Sequence, residues 1–250
     1  QKVIDEYAKD YDSPVVFDPF AGSGTAIVQA KLNGFDTYGV ELNPLLHFVA
    51  QTKLNSWNVN PEKLLQVYNN LPKNQRTLAP TFLKSKNQFN PPVLQNLEIL
   101  KGGIDCFKPS DKEEEKIKDL LLLAFSAILI DCSNLKRTPC LGYSKKKVVH
   151  ENAPFNLFHS KVMDIAEDLG VIKERYTSNI FTASEIFLAN SMTYHHQHRY
   201  DLVITSPPYM NGLDYVINYK IEMAWLNYAD NHKQLKKVKD EMVVCDNVSK

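Results

Sequence analysis

The segment Ser206-Pro207-Pro208-Tyr209 closes an apolar, strand-like run at 201–205 and has residue types that can bind a planar amine. The side-chain oxygen of Ser206 and the carbonyl of Pro207 can accept hydrogen bonds from both N–H groups of an exocyclic amine, which favours a pyramidal nitrogen. The two prolines restrict φ and so fix the direction of that carbonyl before a substrate arrives. Tyr209 adds a flat face on which an extruded base can stack. The segment is therefore a candidate catalytic site; the alternative is a proline-rich turn in which Tyr209 is a packing aromatic.

A second candidate site lies near the start of the chain, where the apolar run 15–17 leads into a glycine-containing turn. Gly22 and Gly24 let the backbone bend sharply and approach a ligand, and the N-terminus of a predicted helix follows. Glu41 ends the next predicted strand, from which a carboxylate can accept hydrogen bonds from both hydroxyls of a ribose. Asp18 can bind an ammonium group, directly or through water. The alternative is that Asp18 and Glu41 only cap loops.

Both segments resemble motifs of the S-adenosylmethionine-dependent DNA amino-methyltransferases, the family of N4-cytosine and N6-adenine DNA methylases. The resemblance covers about residues 11–50 and 200–228 and includes Tyr38-Gly39-Val40-Glu41-Leu42-Asn43-Pro44. It implies an α/β fold with a Rossmann-like class I methyltransferase sheet, S-adenosylmethionine as cofactor and double-stranded DNA as partner. The cofactor-binding residues that the resemblance implies are Asp18, Pro19, Phe20, Ala21, Gly22, Gly24, Thr25 and Glu41.

The identity of the target base depends on the first residue of the catalytic segment. In the related families serine is commoner there for N4 of cytosine, whereas aspartate or asparagine is commoner for adenine, RNA or protein glutamine, so Ser206 favours cytosine. No cysteine lies near this segment, which argues against the ring-carbon cytosine methylases that attack through a thiolate. Three alternatives stay open: an N6-adenine DNA methylase, an RNA or protein-amide methyltransferase, and an incomplete, non-catalytic DNA-binding subunit. Asp214 and Tyr215 either shape the base pocket or order the loop.

The hydrophobic pattern predicts the elements that position these segments. Strands are expected at 15–17, 37–40, 179–182 and 201–205, and a complete methyltransferase sheet needs more than four. We therefore expect the remaining strands from a missing segment or from a second chain, and a further part before the present N-terminus. Helices are expected at 24–33 with Gly34 as cap, from Asn43-Pro44 onward, and at 219–228. The expected organisation is a cofactor-binding part at 1–59, a mainly helical insertion at 60–176 and a catalytic part at 177–250.

The predicted insertion is a possible DNA-recognition region. Ser110-Asp111-Lys112-Glu113 has the spacing of a capping box before a helix that runs to about 130, and a second helix is expected at 154–169 with Gly170 as its stop. Five basic residues with no acidic residue among them lie between positions 136 and 150, which suits either a loop that grips a phosphate backbone or a solvated surface. They are Lys136, Arg137, Lys145, Lys146 and Lys147.

The composition excludes several classes of protein. The chain has 29 basic and 29 acidic residues, so no global field attracts it to nucleic acid and DNA binding must come from a local surface. Its four cysteines contain no C-x-x-C pair, which favours a reducing compartment, the cytoplasm, and argues against a zinc site. The longest apolar stretch, 120–130, is too short to cross a bilayer and indicates a buried helix. We therefore expect neither a metal nor a membrane partner.

Overall fold

The structure, a computed structural model, describes residues 2–138, 140–195, 198–207 and 214–242. Pro208 and Tyr209, two residues of the predicted catalytic segment, lie outside the described residues. The helices are α1 (Lys2–Tyr7), α2 (Thr25–Leu32), α3 (Pro44–Asn55), α4 (Pro61–Asn69), α5 (Ser85–Gln88), α6 (Pro91–Cys106), α7 (Lys112–Ile128), α8 (Ala153–Arg175), α9 (Tyr215–Trp225) and α10 (His232–Glu241). The strands are β1 (Val16–Asp18), β2 (Thr37–Glu41), β3 (Leu135–Arg137), β4 (Leu141–Tyr143), β5 (Ser184–Leu188) and β6 (Leu202–Val203).

Four of these strands form a parallel sheet in the order β5-β2-β1-β6. Phe17 of β1 pairs with Tyr38 of β2 on one side and with Val203 of β6 on the other. The strand order therefore reverses at β1, and in open parallel sheets ligands bind at such a point, beside the carboxyl ends of the strands. The α/β class with a Rossmann-like sheet that the sequence predicts is confirmed.

The sheet belongs to a first compact unit, which comprises the described residues of 1–58, 171–212 and 240–250. Ile27 of α2 and Ala50 and Leu54 of α3 form a buried cluster with Ile186 of β5, so α2 and α3 cover one face of the sheet. α3 begins where the sequence predicts, because the Asn43 side chain accepts hydrogen bonds from the first free N–H groups of the helix. The cap of α3 and this buried cluster position β1, β2 and the turn between β1 and α2.

One predicted strand is wrong. Residues 177–181 form a short 3-10 helix, and strand β5 begins later, at Ser184. The Asn179 side-chain amide donates hydrogen bonds to the carbonyls of Lys31 and Leu32 at the end of α2, and the Thr182 hydroxyl donates to the Asn179 carbonyl. These contacts bend the backbone into a turn, so the β-branched residues of this segment do not join the sheet.

A second compact unit comprises residues 59–170 and the described residues of 213–239. Its core is helical, and Phe125 of α7 and Phe158 of α8 are fully buried within it. Trp225 of α9 packs edge-on against Phe125, with ring centroids 5.5 Å apart. Helix α9 therefore belongs to the helical unit, whereas the organisation expected from the sequence assigns the whole of 177–250 to the catalytic part.

Two helix boundaries in this unit also differ from expectation. α8 continues through Gly170 to Arg175, because Leu169 is buried just before the glycine and basic residues near the carboxyl end favour the helix dipole. The N-cap of α7 is Asp111, whose carboxylate accepts from the Glu114 N–H at 2.8 Å, rather than Ser110. A negative charge at the N-terminus of a helix is favoured by the dipole, which displaces the predicted capping box by one residue.

The apolar stretch of α7 is buried, as the sequence predicts: Leu120, Leu121 and Ile128 are all nearly inaccessible. In the part of the chain that the structure describes, no helix combines the length and apolar character that a membrane span requires.

Candidate active site

Asp18 lies at the carboxyl end of β1 and only 4% of it is exposed. Its Oδ1 accepts a hydrogen bond from the Phe20 N–H at 2.9 Å, and its carboxylate also accepts one from the Thr205 side chain. Burial raises the pKa of Asp18 to about 6, although both hydrogen bonds act in the opposite direction. Asp18 thus links the end of β1 to the residues that follow β6.

Glu41 lies at the carboxyl end of β2, next to Asp18. Its Oε2 accepts from the Gly22 N–H at 2.8 Å and its Oε1 from the Asn43 N–H at 2.7 Å. Burial raises the pKa of Glu41, although the backbone hydrogen bonds to its carboxylate act in the opposite direction, and the nearby charge of Asp18 adds a smaller increase. Two partly desolvated carboxyl groups in one place favour a ligand that brings a positive charge and hydrogen-bond donors.

The turn between β1 and α2 is closely packed on one side and open on the other. Gly22 and Gly24 have φ values of +54° and +81°, a backbone conformation that residues other than glycine rarely adopt. A Cβ on Gly24 would lie 2.9 Å from the Cβ of Ala50 in α3, whereas a Cβ on Gly22 would meet no atom within 4 Å. The backbone at Gly22 is therefore accessible to a ligand.

This set of groups fits S-adenosylmethionine. Asp18 offers a carboxylate to the ammonium of a methionine moiety. Each oxygen of Glu41 holds one backbone N–H and can accept a further hydrogen bond, so the two hydroxyls of a ribose match it. The glycine turn leads into the N-terminus of α2, where a polar group of a ligand is favoured.

The other predicted cofactor-binding residues lie in the same turn. Pro19 and Phe20 follow β1, and Thr25 is the first residue of α2. The Ala21 N–H donates to the Val40 carbonyl at 3.0 Å, which ties the turn to β2. The structure thus brings all eight predicted positions together, and their roles stay predictions.

The end of β5 also contacts this turn. This contact was not predicted from the sequence. The hydroxyl of Ser191, which follows β5, donates a hydrogen bond to the carbonyl of Pro19. Its neighbour Asn190 accepts from the Met192 N–H at 3.0 Å and so shapes the same turn. Asn190 and Ser191 could have been identified as residues that directly follow a strand. The sequence, however, predicts this strand at 179–182, too early in the chain.

The predicted catalytic segment begins directly after β6, the neighbour of β1. The Ile204 N–H donates to the Phe17 carbonyl at 2.9 Å, which continues the ladder between the two strands. Thr205 contacts Asp18, and Ser206 and Pro207 come next and are exposed. The sheet therefore brings the start of the catalytic segment to the carboxylate of the cofactor segment, although the two are far apart in sequence.

The amino-acid sequence is similar to those of several type II methyltransferases. The chain is 24% identical to the type II methyltransferase M.BsoBI of Geobacillus stearothermophilus, over 98% of this chain and 53% of that protein. It is also 24% identical to M.AvaI of Nostoc sp., over 98% of this chain and 54% of the relative, and to M.MvaI of Kocuria varians, over 78% and 46%. The similarity to type II methyltransferases thus extends over most of the chain. It spans about half the length of the curated relatives it matches. No family model and no solved structure matches it.

Lys53 of α3 is a further residue beside the glycine turn that could not be found from the sequence. Its ammonium donates a hydrogen bond to the carbonyl of Ser23, the middle residue of the glycine turn, at 3.0 Å. Burial lowers the pKa of Lys53. Lys53 lies one helical turn after Ala50, which contacts the same glycine turn, so α3 supports this turn at two points.

We expect Lys53→Met to raise the Kd for S-adenosylmethionine about tenfold, the effect of one lost hydrogen bond to a charged group. The melting temperature should change little, because methionine retains most of the apolar stem. Isothermal titration calorimetry measures the Kd, and Lys9→Met, at an exposed lysine of the same unit, is the control. An unchanged Kd in Lys53→Met would show that the turn does not depend on this contact.

Asp214 lies just beyond the catalytic segment, at the N-terminus of α9. One carboxylate oxygen accepts from the Ile217 N–H at 2.8 Å and the other from the Lys239 ammonium at 2.6 Å. Both oxygens thus serve the cap of α9 and its contact with α10. Of the two roles left open for Asp214, this geometry favours ordering of the chain.

The basic residues between 136 and 150 are not equivalent. β3 and β4 pair as an antiparallel hairpin in this segment, for which the sequence left open a loop that grips phosphate or a solvated surface. Arg137 forms an ion pair with Glu222, and the Lys147 ammonium donates to the carbonyls of Ile130 and Leu135. The three remaining residues have exposed side chains: Lys136, Lys145 and Lys146. Within the described ranges, no group of three His, Cys, Asp or Glu residues could hold a metal ion.

Proposed function

We propose that the chain transfers a methyl group from S-adenosylmethionine to the exocyclic amine of a DNA base, with N4 of cytosine as the target. The observation that carries this proposal is the meeting of three strand ends. Asp18 ends β1, Glu41 ends β2, and Thr205 contacts Asp18 immediately before Ser206. The segments proposed for the cofactor and for the target amine are therefore adjacent where the strand order of the sheet reverses, which supports the proposal.

S-Adenosylmethionine supplies a methyl group on a positively charged sulfur when it is bound. The chain contributes the Asp18 carboxylate for the ammonium of that molecule and the Glu41 carboxylate for its ribose. Hydrogen bonds from the Phe20 N–H to Asp18 and from the Gly22 N–H to Glu41 hold the two carboxylates in a fixed arrangement. Because these groups are already fixed, less conformational entropy is lost when the ligand binds.

Ser206 and Pro207 would receive the target amine. Their hydroxyl and carbonyl oxygens are acceptors, and the amine has two N–H donors, so the numbers of donors and acceptors match. Serine at this position favours N4 of cytosine, and N6 of adenine is the alternative target with the same chemistry. The names of the relatives, type II methyltransferases, support DNA as the substrate.

A second candidate function is a subunit that keeps the fold but needs additional residues for catalysis. It is supported by the four-stranded parallel sheet of the described residues and by the coverage of about half of each relative. In that case a missing segment or a second chain would complete the sheet. We also propose a cytoplasmic location, because Cys106 and Cys140 are exposed free thiols.

Incubation of the chain with labelled S-adenosylmethionine and duplex DNA, RNA or protein tests these proposals. Transfer of label to DNA supports the main proposal, and digestion of the product to nucleosides then distinguishes N4-methylcytosine from N6-methyladenine. Transfer to RNA or protein without transfer to DNA would overturn it. Binding of the cofactor without transfer to any substrate would instead support the incomplete subunit.

Within the same assay, we expect Ser206→Ala to lower kcat about tenfold, because the amine loses one of its two acceptors. The Kd for S-adenosylmethionine should stay the same, since Ser206 is not assigned to the cofactor. Ser13→Ala, at an exposed serine of the same unit, is the matched control. A kcat equal to that of the control would contradict the role of Ser206.

A further inference from the structure

The β3–β4 hairpin has two faces of different character. In its register Leu135 pairs with Tyr143 and Arg137 with Leu141, so these residues share one face. Leu135 is buried in the helical core, and Leu141 packs against that core. This face is therefore the inner one. The pair on the opposite, outer face is Lys136 and Gly142.

The inner face is fixed to helix α9 by a set of polar contacts. Arg137 pairs with Glu222, and its Nε donates to the Asn218 carbonyl at 3.0 Å. The Arg137 guanidinium also lies over the ring of Tyr219, 4.8 Å from its centroid. The Leu141 N–H donates to the Asn218 side-chain oxygen at 2.7 Å. Both strands of the hairpin are thus bound to one helix.

These contacts prevent Arg137 from serving a phosphate group at the same time. The side chain of Glu222 is only 6% exposed, and burial raises its pKa while Arg137 acts to lower it. If Arg137 turned towards a phosphate, the Glu222 carboxylate would remain buried without its cationic partner. Lys147 is occupied in a similar way, because its ammonium donates to two backbone carbonyls.

The outer face, in contrast, is accessible and carries positive charge. Lys136 is exposed, and a Cβ on Gly142 would meet no atom within 4 Å. A bulky anion can therefore approach the backbone of β4 beside Lys136. Lys145 and Lys146, which follow β4, are exposed as well, and no acidic residue lies between 136 and 150.

We propose that the outer face of the β3–β4 hairpin, through Lys136, and the exposed segment that follows β4, through Lys145 and Lys146, bind the phosphate backbone of duplex DNA. Arg137 and Lys147 are positioning residues that hold the hairpin in place and do not contact phosphate. This proposal rests on the proposed function for its partner, and it separates five basic residues of similar sequence character into two groups with different effects.

The dependence of DNA affinity on salt distinguishes the two groups. Each phosphate contact adds about 0.9 to the slope of log K against log salt concentration. We expect the triple variant K136A/K145A/K146A to lower this slope by about 2.7 and the affinity at least tenfold, with an unchanged melting temperature. Arg137→Gln should lower the melting temperature and leave the slope unchanged.

Fluorescence anisotropy of a labelled duplex at several salt concentrations measures both quantities in the 250-residue chain. Lys86→Ala, at an exposed lysine of the same unit, is the matched control. If Arg137→Gln does not fold, the double variant R137Q/E222Q removes both charges of the ion pair, leaves no buried carboxylate without a partner, and should retain the slope. A triple variant with the slope of the control, or an Arg137 variant with a reduced slope, would overturn the proposal.

The failure of the proposed function gives a different result. If the unmodified chain binds no duplex DNA, the substrate class itself is wrong and the comparison of variants does not arise. If the unmodified chain binds DNA and the hairpin variants bind equally well, only the assignment of the hairpin fails.

Discussion

The Asp18→Asn variant is expected to bind S-adenosylmethionine about a hundredfold more weakly, yet to be more stable than the unmodified chain at pH 7. Both effects have one cause. The carboxylate is buried at the end of β1, where its charge is poorly solvated and attracts the ammonium of a ligand strongly. Asparagine has no charge to desolvate and keeps one oxygen for the Phe20 N–H.

The gain in stability should depend on pH. The folded-state pKa of Asp18, about 6, lies above its ordinary value of 3.8, so the folded chain binds the proton more tightly than the unfolded chain. The carboxyl group therefore lowers the free energy of unfolding progressively as the pH rises from about 4 to about 6, and the penalty is constant above that range. The difference between variant and unmodified chain should be small near pH 4 and reach up to roughly 3 kcal/mol at pH 7.

Affinity for the cofactor should change in the opposite direction and increase as the pH rises through the same range, because an ammonium group binds the ionised form of Asp18. Titration calorimetry between about pH 4 and pH 8 measures the Kd, and urea unfolding at the same pH values measures stability. Asp12→Asn, at an exposed aspartate, should change neither quantity. An Asp18→Asn variant that binds the cofactor normally would remove Asp18 from the site.

The second large effect is expected at Gly103, in helix α6. A Cβ at this position would lie 2.5 Å from the carbonyl oxygen of Pro72, and one on the adjacent Gly102 would lie 2.6 Å from the backbone nitrogen of Arg76. Because the opposing atoms belong to backbone, a side chain cannot turn away to make room. We expect Gly103→Ala to lower the free energy of unfolding by more than about 2 kcal/mol.

Gly170→Ala is the matched substitution, since Gly170 also lies inside a helix but a Cβ there would meet no atom within 4 Å. Alanine has the higher helix propensity, so this variant should be more stable by roughly 0.5–1 kcal/mol. Urea unfolding of both variants measures the difference. Destabilisation of Gly170→Ala would indicate that α8 ends at this glycine, and a neutral Gly103→Ala would contradict the close approach of Pro72 to α6.

Several features of the fold follow from signals within a few residues of each other. Asn43 and Pro44 predict the start of α3, and Gly34 predicts the end of α2, because capping depends on adjacent backbone groups. Two parallel strands joined by a helix must end at the same edge of a sheet. The sequence could therefore predict that Asp18 and Glu41 lie together.

Other features could not be predicted because they depend on residues that are distant in the chain. The segment 179–182 has strand-forming residues, but the Asn179 amide bonds to the end of α2 and turns the backbone away from the sheet. Gly170 has the character of a helix stop, yet α8 continues through it beside the buried Leu169. In both cases tertiary contacts outweigh a weak local preference.

The candidate site divides in the same way. The sequence by itself determined the two chemical segments, because a glycine turn after a strand and a Ser-Pro-Pro-Tyr segment are recognisable from residue types and spacing alone. Only the tertiary structure decided that Thr205 contacts Asp18, that Lys53 supports the glycine turn, and that the basic residues differ in exposure. The physical reason is that the partners and the burial of a charged side chain decide whether it is available to a ligand, and these depend on residues distant in the chain. Arg137 and Lys136 are adjacent in sequence, but the alternation of a β-strand directs one towards Glu222 and the other into solvent.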